Sequence, residues 1–188
     1  MTISNVHQRL FSASMDEVGA LLDAVAEPGN ALWPAPPWPA LVLDRPLGAG
    51  ADGGHGPIRY ACVSYQPGRR AEFEFRAPTP VRGGHAIELI EHPEGVLLQH
   101  TLIAEPIGIV GVLAWSVVFR ALHDALLEDL MDRAATALGR PPKKPAQWSP
   151  YVRLLRGGYD LLATATRTSK PSPTVAVKAA SGAASRDS

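Results

Sequence analysis

Three features of the 188-residue chain predict an α+β fold, a curved antiparallel sheet closed by one long C-terminal helix. The stretch from Pro57 to Glu105 divides into four alternating or apolar runs separated by the turn signals PGRR, APTPVRGG and HPEG. From Ile107 to Leu138 the chain has no proline and only Gly108 and Gly111, the pattern of a single long helix. Ahead of both stand a short strand and a capped helix. A sheet closed over one helix leaves a space between them, and such a space suits a small molecule.

The first strand is expected over Val6 to Ala13. Ser14-Met15-Asp16-Glu17 then supplies a hydroxyl and a carboxylate at capping-box spacing, followed by Val18, Leu21, Leu22 and Val25 at helical intervals up to Glu27-Pro28-Gly29. In the next segment, ALWPAPPWPALVLDRPL, Trp33 and Trp38 stand among prolines. It reads as an irregular aromatic wall leading into a second strand at Leu41 to Leu43. GADGGHGP, which carries His55, reads as a Gly-rich loop over the cavity and not as a phosphate cradle, since no strand precedes it in the P-loop pattern.

Turn spacing sets the register. With Gln66 to Arg69 as a turn, Tyr60 faces Phe75, Cys62 faces Phe73 and Ser64 faces Ala71 on the inner side, while Arg59, Arg76, Glu72 and Glu74 fall on the wet side. With Pro93-Glu94 as the next tip, Leu89 faces Leu98, Ile87 faces His100 and His85 faces Leu102. On the helix, Trp115, Phe119, Leu122 and Leu126 form one seam toward the sheet, and Asp124, Glu128 and Asp132 form an acidic face. The run Ile107 to Phe119 is too short to span a bilayer and reads as the buried start of this helix, so no transmembrane segment is expected.

Gly139 and Pro141-Pro142 end the helix, so residues 1–140 are expected to form one ligand-binding domain. Residues 141–188 are expected to be a basic Pro/Ser/Ala-rich tail, with a short amphipathic helix over 149–163 interrupted at Gly157-Gly158 and disorder from Thr164 onward. Charge divides at the same place. Residues 1–139 hold nine Arg against sixteen Asp and Glu, a net of −7, and residues 140–188 hold nine Lys and Arg against two Asp, a net of +7. An acidic body argues against nucleic acid as a partner. The tail could instead contact that body, an acidic partner or an anionic membrane surface. A single cysteine, Cys62, excludes an intramolecular disulfide, and the N-terminus lacks the basic and apolar regions of a signal peptide, so a cytoplasmic location is expected.

The strand ending FSASMDEV, the WPAPPWP segment, the meander containing HGPIRY and GGHAIEL, and the terminal AWSVVFRALHDALLEDLMDRA together resemble the SRPBCC superfamily over about residues 4–139. That superfamily includes the START domains, the birch pollen allergen and the polyketide cyclase/dehydrase-like proteins. The resemblance implies a seven-stranded helix-grip fold with a hydrophobic cavity and neither metal nor organic cofactor. Six strands are evident, so a seventh must be short or lie between Leu41 and Ala51. The resemblance carries over no catalytic residue.

Face and spacing place Tyr60, Phe73, Phe75, His85, Leu98, His100, Trp115, Phe119 and Leu122 around one space. His85, His100 and Tyr60 are the polar members, able to fix a ligand carbonyl or phenol or equally to be bonded within the core. Two histidines make a poor zinc site; His123 could supply a third ligand, but nothing in the spacing requires it, and no metal is expected. His123 and Asp124 are adjacent on a helix and project about 100° apart, so they do not orient one another. The expected function is binding or carriage of a small hydrophobic molecule, aromatic, polyketide-like or lipid. The alternatives are a cyclase or dehydratase with His85 or His100 as base and Tyr60 as carbonyl polariser, or an interaction platform using the tail.

Overall fold

The computed structural model describes residues 2–168. Seven antiparallel strands form one sheet in the order β1-β7-β6-β5-β4-β3-β2: β1 (Ile3–Phe11), β2 (Leu41–Leu43), β3 (Asp52–His55), β4 (Ile58–Gln66), β5 (Arg70–Arg76), β6 (Val81–His92) and β7 (Gly95–Pro106). Helix α1 (Met15–Asp23) follows β1. The long helix comprises α2 (Gly108–Ala114), a π-helical turn (Trp115–Phe119) and α3 (Arg120–Ala137). A further helix, α4, runs over Pro150–Thr168. This is the helix-grip arrangement that the element order predicts.

α1 begins with the expected capping box: Ser14 Oγ accepts from Glu17 N, and Glu17 Oε2 accepts from Ser14 N. Its last residue, Asp23, accepts from Tyr65 Oη and from Gly68 N, both at 2.7 Å, and so pins the β4–β5 turn. Gly19 makes the close approach possible, because a Cβ there would lie 2.8 Å from Gly68 Cα.

The expected pairs Tyr60–Phe75, Cys62–Phe73, Leu89–Leu98, Ile87–His100 and His85–Leu102 are all present. Ser64 is the exception. A bulge between Cys62 and Ser64 sets Ser64 opposite Glu72 and leaves Ala71 to Tyr65. On its other edge Cys62 is bonded through both backbone groups to the 48–51 turn, where its N donates to Ala51 O and its O accepts from Gly50 N. The extra residue falls immediately beyond that anchored position.

The seventh strand is Asp52–His55, inside the segment read as a loop. Asp-Gly-Gly-His has no strand propensity. Here glycine is required sterically: a Cβ on Gly53 would lie 2.0 Å from Val42 O, and one on Gly54, whose φ is +144°, 2.0 Å from Ile58 O.

α3 buries Leu126, Leu127, Leu130, Met131 and Ala134 against the sheet and against Leu32, Trp33 and Trp38 of the proline-rich wall. Asp129 ties three segments together by accepting from the indole N–H of Trp38 at 2.6 Å and of Trp148 at 2.7 Å. We expect Asp129→Ala to cost about 2–4 kcal/mol in chemical denaturation, because two indole donors lose their partner. The acidic face of the helix lies over β1: Asn5 and His7 meet Asp124, His7 and Arg9 meet Glu128, and Arg9 meets Asp132.

The expected burial of Ile107 to Phe119 does not hold. Only Gly111 and Trp115 are buried there, because these first turns overhang the end of β7 and touch the sheet along one stripe. Gly111 permits that contact, since its Cβ position is 2.6 Å from Pro80 O. Among the described residues, Gly108–Ala137 is the one helical stretch long and apolar enough to cross a membrane, yet its second half is packed into the core.

α4 extends beyond the expected 149–163 and runs through Gly157-Gly158 without a break. The expectation of disorder from Thr164 concerns residues that are helical as far as Thr168 and otherwise lie outside the described residues. Val152 is buried with Trp148 against the core, and Arg156 packs over Trp38 while donating to Pro37 O at 2.8 Å. We propose that residues 1–140 still fold alone, since sheet, α1 and the long helix complete one core. The 1–140 fragment should melt cooperatively but with roughly 2–5 kcal/mol less stability. A non-cooperative melt would place Trp148 to Tyr159 inside the domain.

Candidate functional site

Between sheet and long helix lies a cavity of about 580 Å³. Phe75, Val81, His85, Ile87, His100 and Leu102 line it from the sheet, and Trp115, Phe119, Leu122, His123 and Leu126 from the long helix. Trp33, Trp38, His55 and Arg156 form one end, and Leu154, Leu155 and Tyr159 of α4 line the mouth, where Leu154 is exposed. The π-helical turn is wider than an α-turn, and Trp115, Val118 and Phe119 all reach the cavity from it.

Of the nine residues expected around the space, Phe75, His85, His100, Trp115, Phe119 and Leu122 are at its surface. Tyr60, Phe73 and Leu98 are on the same face of the sheet and buried, but packed behind the lining. The three candidate catalytic residues therefore divide: His85 and His100 are at the cavity, whereas Tyr60 is behind His55 and edge-on to His85. Sequence reasoning missed His55, which lies on β3 and not on a mobile lid, and it placed the wall tryptophans in packing alone. It also missed Arg156 and Tyr159. The signal for these two was the apolar spacing of the tail helix, but sequence could not show where that helix docks.

The polar groups form one chain of rings. His55 Nδ1 is 3.0 Å from Tyr60 Oη, His85 stacks on Phe73, and His100 Nε2 lies 3.3 Å from His85 Nδ1. The His123 ring is next, 5.0 Å from that of His100. Burial pushes His55 and His85 down to about 3, helped in His55 by repulsion from His123 and Arg59 and in His85 by repulsion from His55 and His123. Burial also lowers His100 and His123, and it raises Tyr60. At neutral pH the site is thus a set of uncharged imidazoles and an uncharged phenol.

Neutrality fixes the tautomers. His100 Nδ1 is buried without a partner, so His100 is best placed with its proton on Nε2, donating to His85 Nδ1, because an unpaired acceptor costs less than an unpaired N–H. His85 then carries its proton on Nε2. A cavity-lining residue so offers a hydrogen-bond donor suited to a carbonyl or phenolic oxygen.

At the edge of this chain His7 bridges two carboxylates, with Nε2 3.1 Å from Asp124 Oδ1 and Nδ1 3.2 Å from Glu128 Oε1. Burial would raise Asp124, but the neighbouring His123 and His7 rings and the Asn5 amide outweigh it and hold the carboxyl at about 2. His123 Nδ1 is 3.8 Å from Asp124, an electrostatic contact and not a hydrogen bond, in keeping with their adjacent positions on the helix. His7, His123 and Asp124 bring ligand-type atoms within 4.8 Å of one another, but both His7 nitrogens are already engaged by carboxylates.

This architecture defines a helix-grip domain with an internal apolar cavity. No family model matches the chain, and no curated protein does. Solved structures do match. CalU16 from Micromonospora echinospora is 17% identical with a TM-score of 0.51, covering 86% of each chain. The protein of unknown function EF2215 from Enterococcus faecalis is 16% identical with a TM-score of 0.53, covering 87% of this chain and 86% of that one. The di-domain ARO/CYC StfQ from the steffimycin biosynthetic pathway is 19% identical with a TM-score of 0.53, covering 74% of this chain and 52% of StfQ. At these identities the likeness shows the fold.

Proposed function

We propose that this chain is an SRPBCC-type protein that binds and carries a small, largely apolar molecule with an aromatic or polyketide-like skeleton. The observation that carries this reading is the cavity of about 580 Å³, walled mainly by aromatic and aliphatic side chains, with neutral histidines deep within it and Arg156 and Tyr159 as polar groups on the α4 side. A volume of that size takes a ligand of several fused rings. A His85 donor would orient one oxygen without the desolvation cost of a buried charge. The likeness to the ARO/CYC StfQ supports a polyketide-like class.

The second reading is a cyclase or dehydratase. A general base works best with a pKa near the working pH. Imidazoles held at about 3 are weak bases at neutrality, and Tyr60, whose hydroxyl already faces His55, is a poor acid. Tyr60 is packed behind the lining and shares no open point of the cavity with His85 or His100. These features favour the carrier.

Mass spectrometry of small molecules released from the purified protein tests the proposal directly. Recovery of a multi-ring or long-chain apolar compound is expected, and a charged, sugar-like or nucleotide ligand would overturn it.

A further inference from the structure

A group of exposed aliphatic side chains is gathered beside the mouth of the cavity. Ile109 and Val110 of α2 are 72% and 70% exposed, Leu113 is 56% and Val117 is 51%. On helix α4, Leu154 is 72% exposed and itself lines the cavity. The two helices are joined at this point, where Tyr151 Oη donates to the Val117 carbonyl. Val118, next to Val117, lines the cavity, as do Leu155 and the exposed Leu154 itself, so these exposed side chains form the outer lip of the opening. Isolated exposed leucines need no explanation; five large aliphatic side chains on one lip do.

We infer that this lip docks on an anionic lipid bilayer, and that the cavity's ligand passes between bilayer and protein there. Aliphatic side chains with one exposed aromatic, Tyr151, and no shaped groove suit the hydrocarbon and interfacial layers of a bilayer better than a protein partner, whose interface core would call for a cluster of aromatic hot spots. Charge has the matching sign. Arg120 follows the π-helical turn with its side chain 68% exposed, 3.9 Å from Asp124, and Arg153 is exposed one residue before Leu154. The segment 140–188 adds a net of +7, while the rest of the chain is at −7. Basic residues near the surface each add attraction toward anionic lipid. An apolar compound filling the cavity would itself partition into membranes, so the bilayer is the phase in which such a ligand is found. The docking step rests on the lip alone; only the passage of ligand rests on the carrier reading.

Co-sedimentation of the full-length protein with vesicles tests this, using equal parts of phosphatidylglycerol and phosphatidylcholine against phosphatidylcholine alone. Binding to the mixed vesicles is expected, at least tenfold weaker without phosphatidylglycerol and weaker again as salt rises. The double variant Ile109→Glu/Leu113→Glu changes two side chains already in solvent and should keep its circular dichroism and melting temperature while losing at least tenfold in vesicle affinity. Arg153→Glu, on the other helix, should lower it severalfold. Absence of vesicle binding at low salt would overturn the inference, as would binding unchanged in the double variant. Dimers of the wild type that dissociate in the double variant, without vesicle binding, would assign the lip to a second copy of the chain and overturn it as well. Vesicle binding retained in a protein that holds no apolar ligand would sink the carrier reading and leave the docking standing.

Discussion

Lowering the pH from 7 to 5 should destabilise this protein by several kcal/mol, an unusually large response over a range where most carboxylates stay ionised. The cause is the row of buried imidazoles. A histidine whose folded value is depressed binds its proton more readily in the unfolded chain. Its contribution is therefore complete above the unfolded value of 6.5 and is lost progressively as pH falls from there toward the folded value of about 3. For His55 and for His85 the loss between pH 7 and 5 is up to about 2 kcal/mol each. His100 shifts in the same direction. His55 and His85 both line the cavity, so an apolar ligand there should deepen the effect. Asp124 is held down at about 2 and contributes nothing to this window, since its own loss begins only below its unfolded value of 3.8. Thermal melts at pH 7, 6 and 5 should show a steep fall in melting temperature, and His55→Gln/His85→Gln should flatten it. A melting temperature constant from pH 7 to 5 would mean that these rings are solvated and that the neutral site is wrong.

Most of the frame is legible in the sequence because the sheet alternates cleanly. Inward positions Tyr60, Cys62, Phe73, Ile87, Leu89, Leu98, His100 and Leu102 are all buried, and the turn lengths alone fix five of the six pairs inferred from them. What escaped had physical reasons. β3 is a strand because Gly53 and Gly54 let two neighbouring strands close on it, a property of the assembled sheet and not of Asp-Gly-Gly-His. The Val63 bulge moves one residue off the simple count. A helix period shows that the run from Ile107 to Phe119 is apolar; it cannot show that its first turns project past the sheet edge. Periodicity likewise predicts an amphipathic helix after Ser149 without showing that Arg156 stacks on Trp38 and closes one end of the cavity. Lining also differs from facing inward. Phe73 and Leu98 face the right way and are covered by the layer above them.

Leu122→Trp should abolish ligand binding while leaving the fold intact, and it is a sharper test than a change at Leu98, which is buried behind the lining. Leu122 is only partly buried and points into the cavity from the middle of the helix seam, so the larger ring can occupy open volume without displacing packed neighbours. Trp115 reports the result. It is 8% exposed and lines the same space, so with Trp33, Trp38 and Trp148 replaced by Phe its fluorescence should shift when a polycyclic aromatic probe enters. No shift should follow in the Leu122→Trp protein, whose added indole is controlled by titrating the same probe against Leu122→Phe. His100→Gln then separates carrier from enzyme. His100 holds the His85 tautomer through their 3.3 Å contact, so its loss lets the His85 donor turn away. For a carrier this costs about 1–2 kcal/mol of affinity, roughly 5- to 30-fold in Kd. For an enzyme using either ring as base, turnover would drop about 100-fold or more with binding little changed. Unaltered affinity in both variants would place the ligand elsewhere on the molecule and remove the cavity from the argument.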